Sequence, residues 1–270
     1  MTLQSRARHD AVLRPASVVD IAAATRVQRI NPSDAERALI RDVARIADVG
    51  AYAARAVIGV GVREIDVAAA GRAAMEAEIA RAFPGAAYSG TRAMCASGLN
   101  TDSGHAPVTG RVLEHGDIVN LHMDPVIHGY CAPLTRTLFV GEVADTALSI
   151  WKANVAAYDA AIRLIRPGVT LGQLDGQVRA LRQDRDVSQN GAAPVLHVTI
   201  TCDPDAADLA DDGDTVLRAG MVVGLEQALV AGADQPGAGG YREQDVVIVG
   251  DTATVALSGY PTGPAYNVVR

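Results

Sequence analysis

Gly59-Val60-Gly61-Val62-Arg63-Glu64-Ile65-Asp66 and Pro167-Gly168-Val169-Thr170-Leu171-Gly172-Gln173-Leu174-Asp175 carry one message twice. Each is a glycine-containing break that joins a long helical pattern to a second one. Each second pattern has an apolar-Asp pair near its start, Ile65-Asp66 and Leu174-Asp175. The period, roughly 107–109 residues, is far longer than that of a stacked solenoid. Two copies of one unit are therefore expected within the 270-residue chain.

The surroundings of the two breaks fill in that unit. Asn31-Pro32-Ser33-Asp34 is a stop-and-start signal, with Ser33 or Asp34 as a helix cap. Leu39, Val43, Ile46 and Ala47 then recur at helical spacing and predict a helix from 35 to about 57. A second helix is expected from about 64 to 82, ending at Pro84-Gly85. Residues 1–32 read as a tail or linker, and 33–270 as the folded domain. From 87 to 143 the pattern is strand-like, notably over 118–121 and 137–140, with turns at His115-Gly116-Asp117 and His128-Gly129. Helices resume over about 145–165 and 171–183, and strand-like runs return at 195–201, 221–225 and 245–249. Two helices, strands, two helices, strands predict an α+β fold, with helices covering one face of a mainly antiparallel sheet.

Composition narrows the function. Apolar residues make up 49% of the chain, enough for a sizeable core. With 24 basic and 31 acidic residues the net charge is −7, which argues against a nucleic-acid partner. Aromatic residues are only 4%, so no base-stacking platform is expected. No apolar run is long enough for a membrane span, and the start of the chain has no signal-peptide core. Cys95, Cys131 and Cys202 are scattered and form no paired motif, which suits a reducing compartment. The expectation is a cytoplasmic protein with a small-molecule substrate.

Five segments have the residue types for chemistry. His105 sits among small turn residues in Ser97-Gly98-Leu99-Asn100-Thr101-Asp102-Ser103-Gly104-His105-Ala106-Pro107, where an imidazole can serve as general acid or base. His122 and Asp124 alternate along one arm of a predicted hairpin and so share a face; a solvated polar face is the plainer alternative. His197 lies inside an apolar run, where histidines are usually satisfied core residues. Glu226 ends the run Met221–Leu225, and a carboxylate there is costly to bury without a partner. Gly237-Ala238-Gly239-Gly240-Tyr241-Arg242-Glu243-Gln244-Asp245 lets backbone approach closely, with Arg242-Glu243 readable as an ordinary surface pair. It is no phosphate loop, because no Gly-Lys-Ser/Thr follows.

In order and wording these segments resemble one family. Ser97–Asp102 running into His105-Ala106-Pro107-Val108-Thr109, then Gly116-Asp117-Ile118, Arg136-Thr137-Leu138-Phe139, Asp214-Thr215-Val216-Leu217, Gly220–Val223 and Pro236–Glu243 are similar to the pita-bread superfamily of creatinase, prolidase, aminopeptidase P and methionine aminopeptidase, and within it to the creatinase branch. The resemblance implies a duplicated, pseudo-two-fold, curved, mainly antiparallel sheet with outer helices. It implies a homodimer, and a family N-terminal domain that this sequence does not include. It also implies that the five metal-ligand positions of the peptidases, Asp, Asp, His, Glu and Glu, hold His122, Pro133, His197, Glu226 and Glu243. A dinuclear metal site is therefore not expected, and no cofactor is called for. The creatinase branch hydrolyses a C–N bond with a His that matches His105. A Glu that holds the guanidinium in that branch falls at Thr135, and a neighbouring His falls at Gln244.

The leading expectation is a metal-independent hydrolase for a small nitrogenous compound other than creatine. His105, Glu226 and Glu243 would be catalytic, with His122, Asp124, Thr135, Arg136, His197, Tyr241, Arg242 and Gln244 around the substrate. Lyase, isomerase or cyclase chemistry on the same scaffold is one alternative. A single metal on His122, His197, Glu226 and Glu243 is a second, and a non-catalytic binding module a third.

Overall fold

The computed structural model describes residues 2–14, 19, 21, 24, 29–86, 90–104, 106–174, 176–177, 193–199 (backbone) and 213–270. Within these the repeat is visible in the backbone hydrogen bonds. Gly61 N donates to Leu113 O at 2.9 Å and Leu113 N to Val62 O at 2.8 Å. In the second half Gly168 N donates to Leu217 O at 2.9 Å and Leu217 N to Val169 O at 2.8 Å. Gly116 N reaches Val140 O as Gly220 N reaches Val249 O, both at 2.7 Å. The matched turn glycines Gly61 and Gly168 have φ of 89° and 88°, a conformation that side chains with a Cβ avoid.

Helix α1 (Leu3–Leu13) lies where the sequence predicted only a tail or linker. It buries no residue, and its start is held by Thr2, whose side chain accepts from Ser5 N. Helix α2 (Asp34–Val57) starts at a capping box, in which Glu36 N donates to Ser33 Oγ and Ser33 N to Glu36 Oε2. It buries Val43, Ile46, Ala47 and Ala54. Helix α3 (Glu64–Ala82) follows after the glycine break and begins with a buried carboxylate, Glu64. In the second half helix α4 (Asp145–Leu164) matches α2, and a helical turn opening at residue 171 matches the start of α3.

The strands are β1 (Arg92–Ser97), β2 (Ile118–Asp124), the short hairpin β3 (Val126–Ile127) and β4 (Tyr130–Cys131), β5 (Leu134–Val140), β6 (Ala193–Thr199), β7 (Val222–Ala231) and β8 (Gly239–Ile248), with short β9 (Val255–Ala256) and β10 (Val268–Val269) at the margin. The main sheet runs β1-β2-β5-β8-β7-β6. All its neighbours are antiparallel, apart from a parallel two-residue pairing of β10 with β5. The order reads the same from either edge, as a pseudo-two-fold duplication requires. One face packs on the helices. Leu121 and Met123 join Val43 and Ile46 of α2 and Met75 and Ile79 of α3 in one core, and Tyr241 joins Ile150 and Trp151 of α4 in another.

At the seam between the halves, β5 meets β8 through a single register pair, Thr135 opposite Gln244. Side chains make up the rest. The Thr137 hydroxyl accepts from Arg242 N at 2.7 Å and donates to Arg242 O at 3.0 Å, and Asn120 Nδ2 donates to Gly240 O at 3.1 Å. From the helix side, Arg136 Nη1 donates to the carbonyls of both Thr135 and Gln244 at 2.9 Å.

Candidate active site

The registers place six residues in one line across the sheet. Met94 lies opposite His122, His122 opposite Thr135, Thr135 opposite Gln244, Gln244 opposite Glu226, and Glu226 opposite His197. Strand alternation puts the first five of these, Met94 to Glu226, on the face away from the helices. There a small recess opens, lined by Asn120, His122, Thr135, Glu226, Arg242 and Gln244 and walled by Ser103, Gly104 and Ala106. The residues on either side of position 105 thus border the recess, while His105 itself lies outside the described residues. Of His197 the backbone alone is described, paired with Glu226.

A hydrogen-bond chain runs along the row. His122 Nδ1 meets Thr135 Oγ1 at 2.8 Å, and Thr135 Oγ1 donates to Gln244 Oε1 at 2.7 Å. With its proton given to Gln244, the hydroxyl receives the Nδ1–H of His122, which fixes that imidazole tautomer. Beside the chain, Arg242 Nη1 donates to Glu226 Oε1 at 3.1 Å. The Arg242 side chain is 8% exposed, and its Nε is buried without a hydrogen-bond partner among the described residues. Gly104 lies directly against this guanidinium. A Cβ at Gly104 would stand 3.1 Å from Nη1 and 3.3 Å from Cζ, so a side chain there would displace the arginine.

Several expected site residues point elsewhere. Glu243, Arg136 and Tyr241 lie on the opposite face, because neighbours along a strand alternate sides. Glu243 accepts from Trp151 Nε1 at 2.9 Å, and Tyr241 OH donates to Gly237 O at 2.7 Å. Glu243 therefore does not join Glu226, and the residue beside Glu226 in the recess is Gln244. Arg242 and Glu243 do not form the surface pair that the sequence suggested: both are buried, on opposite faces. Asp124 shares the His122 face but is taken by Arg92, whose Nη2 and Nε reach its Oδ2 at 2.6 and 3.1 Å. It does not line the recess.

Behind the row is a buried ionic layer. Arg136 donates to Asp245 Oδ1 at 2.9 Å, its Nε stands 3.6 Å from Glu243 Oε2, and Tyr158 OH donates to Asp245 Oδ2. Burial pushes the Glu243 carboxyl up to about 7 against the pull of Arg136 and the Trp151 hydrogen bond. Burial opposes the charge on Arg136, but Asp245 and Glu243 outweigh it and raise its pKa.

Sequence reasoning missed one functional candidate, Glu64. Its Oε1 accepts from Ser97 N and Ser97 Oγ at 2.7 Å and from Asn100 Nδ2 at 3.1 Å. Its Oε2 accepts from Thr109 N at 3.0 Å and from Thr109 Oγ1. One carboxylate thus ties together both ends of the segment that carries His105. These hydrogen bonds outweigh its burial and lower its pKa. The segment is also docked on β8, where Gly240 N donates to Thr101 Oγ1 at 2.8 Å and a Cβ at Gly240 would come within 2.0 Å of Thr101 O.

The chain belongs to the metallopeptidase family M24, whose model matches residues 38–251. It is 35% identical to the creatinase of Bacillus sp. (strain B-0618) over 275 aligned positions, covering 100% of this chain and 67% of that enzyme. It is 26% identical to the uncharacterized peptidase YqhT of Bacillus subtilis (strain 168), covering 97% of this chain and 71% of that protein. Among solved structures, the Xaa-Pro dipeptidase from Bacillus anthracis superposes with a TM-score of 0.80 at 25% identity, covering 97% of this chain and 71% of that one. The prolidase from Pyrococcus furiosus gives 0.76 at 23% identity, covering 90% and 68%. The fold is therefore the pita-bread fold of that family.

The family name implies metal, and the donor set tests the fit. Position 133 is a proline with no side-chain donor, His122 Nδ1 is engaged by Thr135, and Glu226 is engaged by a guanidinium. No group of three or more His, Cys, Asp or Glu is placed to hold a metal among the described residues. A fixed cation beside the carboxylate further opposes a metal ion there. These residues do not fit a dinuclear centre.

Proposed function

We propose that this chain is a creatinase-like hydrolase that cleaves a C–N bond in a small nitrogenous substrate other than creatine, without a metal ion. The observation that carries the reading is the recess itself. The row His122, Thr135, Gln244 and Glu226 faces the loop residues that flank His105, while the positions that hold metal in the peptidases carry a proline and an arginine-paired carboxylate. His105 acts as general acid/base. The oxygen of water forms the new bond to carbon, the C–N bond breaks, and the departing nitrogen takes up a proton. Glu226 and Gln244 hold the substrate's polar groups, and His122 and His197 orient it. Glu243, Arg136 and Tyr241 support the sheet from behind. The reading includes a homodimer, by likeness to the creatinase branch.

The test uses protein purified without a metal-affinity tag, analysed for metals by mass spectrometry and assayed for amine release from amides, ureas and amidines with and without chelator. Near-zero metal, chelator-resistant turnover and its loss in His105→Ala are expected. About one Zn, Fe or Mn per chain, with turnover abolished by chelator, would overturn the reading. Light scattering at the mass of one chain would refute the dimer.

A further inference from the structure

The donor and acceptor pattern of the recess restricts the substrate, given the hydrolase reading above. Thr135 Oγ1 donates to Gln244 Oε1, so the amide nitrogen, a double donor, is the end of Gln244 left to the recess. Arg242 adds a buried positive charge and a buried Nε–H that has no hydrogen-bond partner among the described residues. The acceptors are the Glu226 carboxylate, whose charge Arg242 already matches at 3.1 Å, and the unprotonated Nε2 that the Nδ1–H tautomer gives His122. Among the described residues the recess is therefore close to neutral and supplies donors as well as acceptors.

A guanidinium or amidinium group offers only N–H donors and carries a positive charge. In this recess it would place donor against donor at Gln244 and charge against charge at Arg242. Such pairings are rejected more strongly than good ones are rewarded. A urea or amide group of the same planar shape is neutral and sets a carbonyl oxygen beside its N–H groups. Its oxygen can accept from Arg242 and Gln244 while its N–H donates to Glu226. We infer that the site takes a neutral ureido or amide group and excludes the cationic guanidino group of the same shape. Gln244, with Arg242, makes that choice.

Two ligands isolate the charge: ureidoacetate and guanidinoacetate differ by one oxygen for one nitrogen. Titration calorimetry on the full chain is expected to show ureidoacetate binding at least about tenfold tighter than guanidinoacetate, since an unpaired buried donor and a like charge both weigh against the latter. Gln244→Glu removes the donor and adds a negative charge, and should narrow or reverse the preference. Equal or tighter guanidinoacetate binding to the wild type, binding of neither ligand, or a folded Q244E protein with an unchanged preference would overturn the inference. The hydrolase reading fails separately. If ureidoacetate binds as expected but no urea or amide is cleaved, the neutral-group pocket stands and the hydrolase reading falls. If amides are cleaved but guanidinoacetate binds better, the reverse holds.

Discussion

Replacing Glu64 with Gln should loosen the segment around His105 while changing little else. The carboxylate accepts five hydrogen bonds, three on Oε1 from Ser97 and Asn100 and two on Oε2 from Thr109. Glutamine keeps the shape but turns one oxygen into a double donor, so one end of the segment then faces N–H against N–H. If the amide nitrogen turns to Thr109, two bonds are lost and one of them leaves a backbone N–H without a partner. Hydrogen bonds to a charged acceptor contribute roughly 1.5–3 kcal/mol each, and hydroxyls re-pair more readily than backbone groups. The expected loss is therefore about 2–4 kcal/mol, read as a lower urea midpoint with an unchanged slope. Because the carboxylate pKa is lowered by these bonds, their stabilisation is present above the ordinary glutamate pKa and fades as pH falls through the folded value. The wild type and Glu64→Gln should thus converge in stability toward acid pH. Turnover, measured well below the mutant's melting temperature, should fall in kcat more than it rises in KM, as expected for a displaced acid/base group. A variant within 0.5 kcal/mol of wild type (about the spread of neutral surface changes), with unchanged kcat, would refute the clamp.

Three further outcomes follow from other parts of the structure. Glu243→Gln should flatten the fall in stability between about pH 4.5 and 7: burial raises this carboxyl to about 7, so its protonated form supports the fold at low pH and that support is lost as pH rises through the folded value. Chemical denaturation at pH 5 and pH 8 checks this, and a variant more sensitive to alkaline pH than wild type would contradict it. Arg136→Met should cost about 3–5 kcal/mol, because it leaves Asp245 buried without its cation and removes the bonds to the carbonyls of Thr135 and Gln244; thermal melting within a degree of wild type would count against it. Gly240→Ala should unseat residues 98–102, since the new methyl would meet Thr101 O at 2.0 Å. Faster amide exchange in that segment is the expected signature, and unaltered exchange the refuting one.

Much of the fold is legible in the sequence because its signals are local. The Ser33 cap, the apolar spacing of α2 and the two glycine breaks each act within a few residues, and the repeat simply states them twice. The hairpin of β2 and β5 is legible for the same reason. What escapes is decided by register. Glu243 and Gln244 are both polar neighbours on a strand, and nothing in their order says which faces the recess; the pairing of β8 with β5 and β7 decides it. Strand β1, Arg-Ala-Met-Cys-Ala-Ser, lacks both alternation and β-branched residues, so within the strand-like stretch 87–143 nothing local marks its bounds. Glu64 is hidden by a commonplace: an acidic residue in the first turn of a helix is what the helix dipole favours anyway. Only the folded chain shows its carboxylate turned onto Ser97, Asn100 and Thr109.

The seam between the halves has a consequence for how this scaffold changes over time. A continuous backbone ladder would fix the separation of β5 and β8 along their whole length. Here one register pair sets it, and Thr137, Asn120 and Arg136 hold the remainder through side chains. The aperture between His122 on one half and Glu226 on the other is thereby set by a few side chains that single substitutions can lengthen or shorten. Such a joint lets the two halves keep their own cores while the gap between them is retuned to a new occupant.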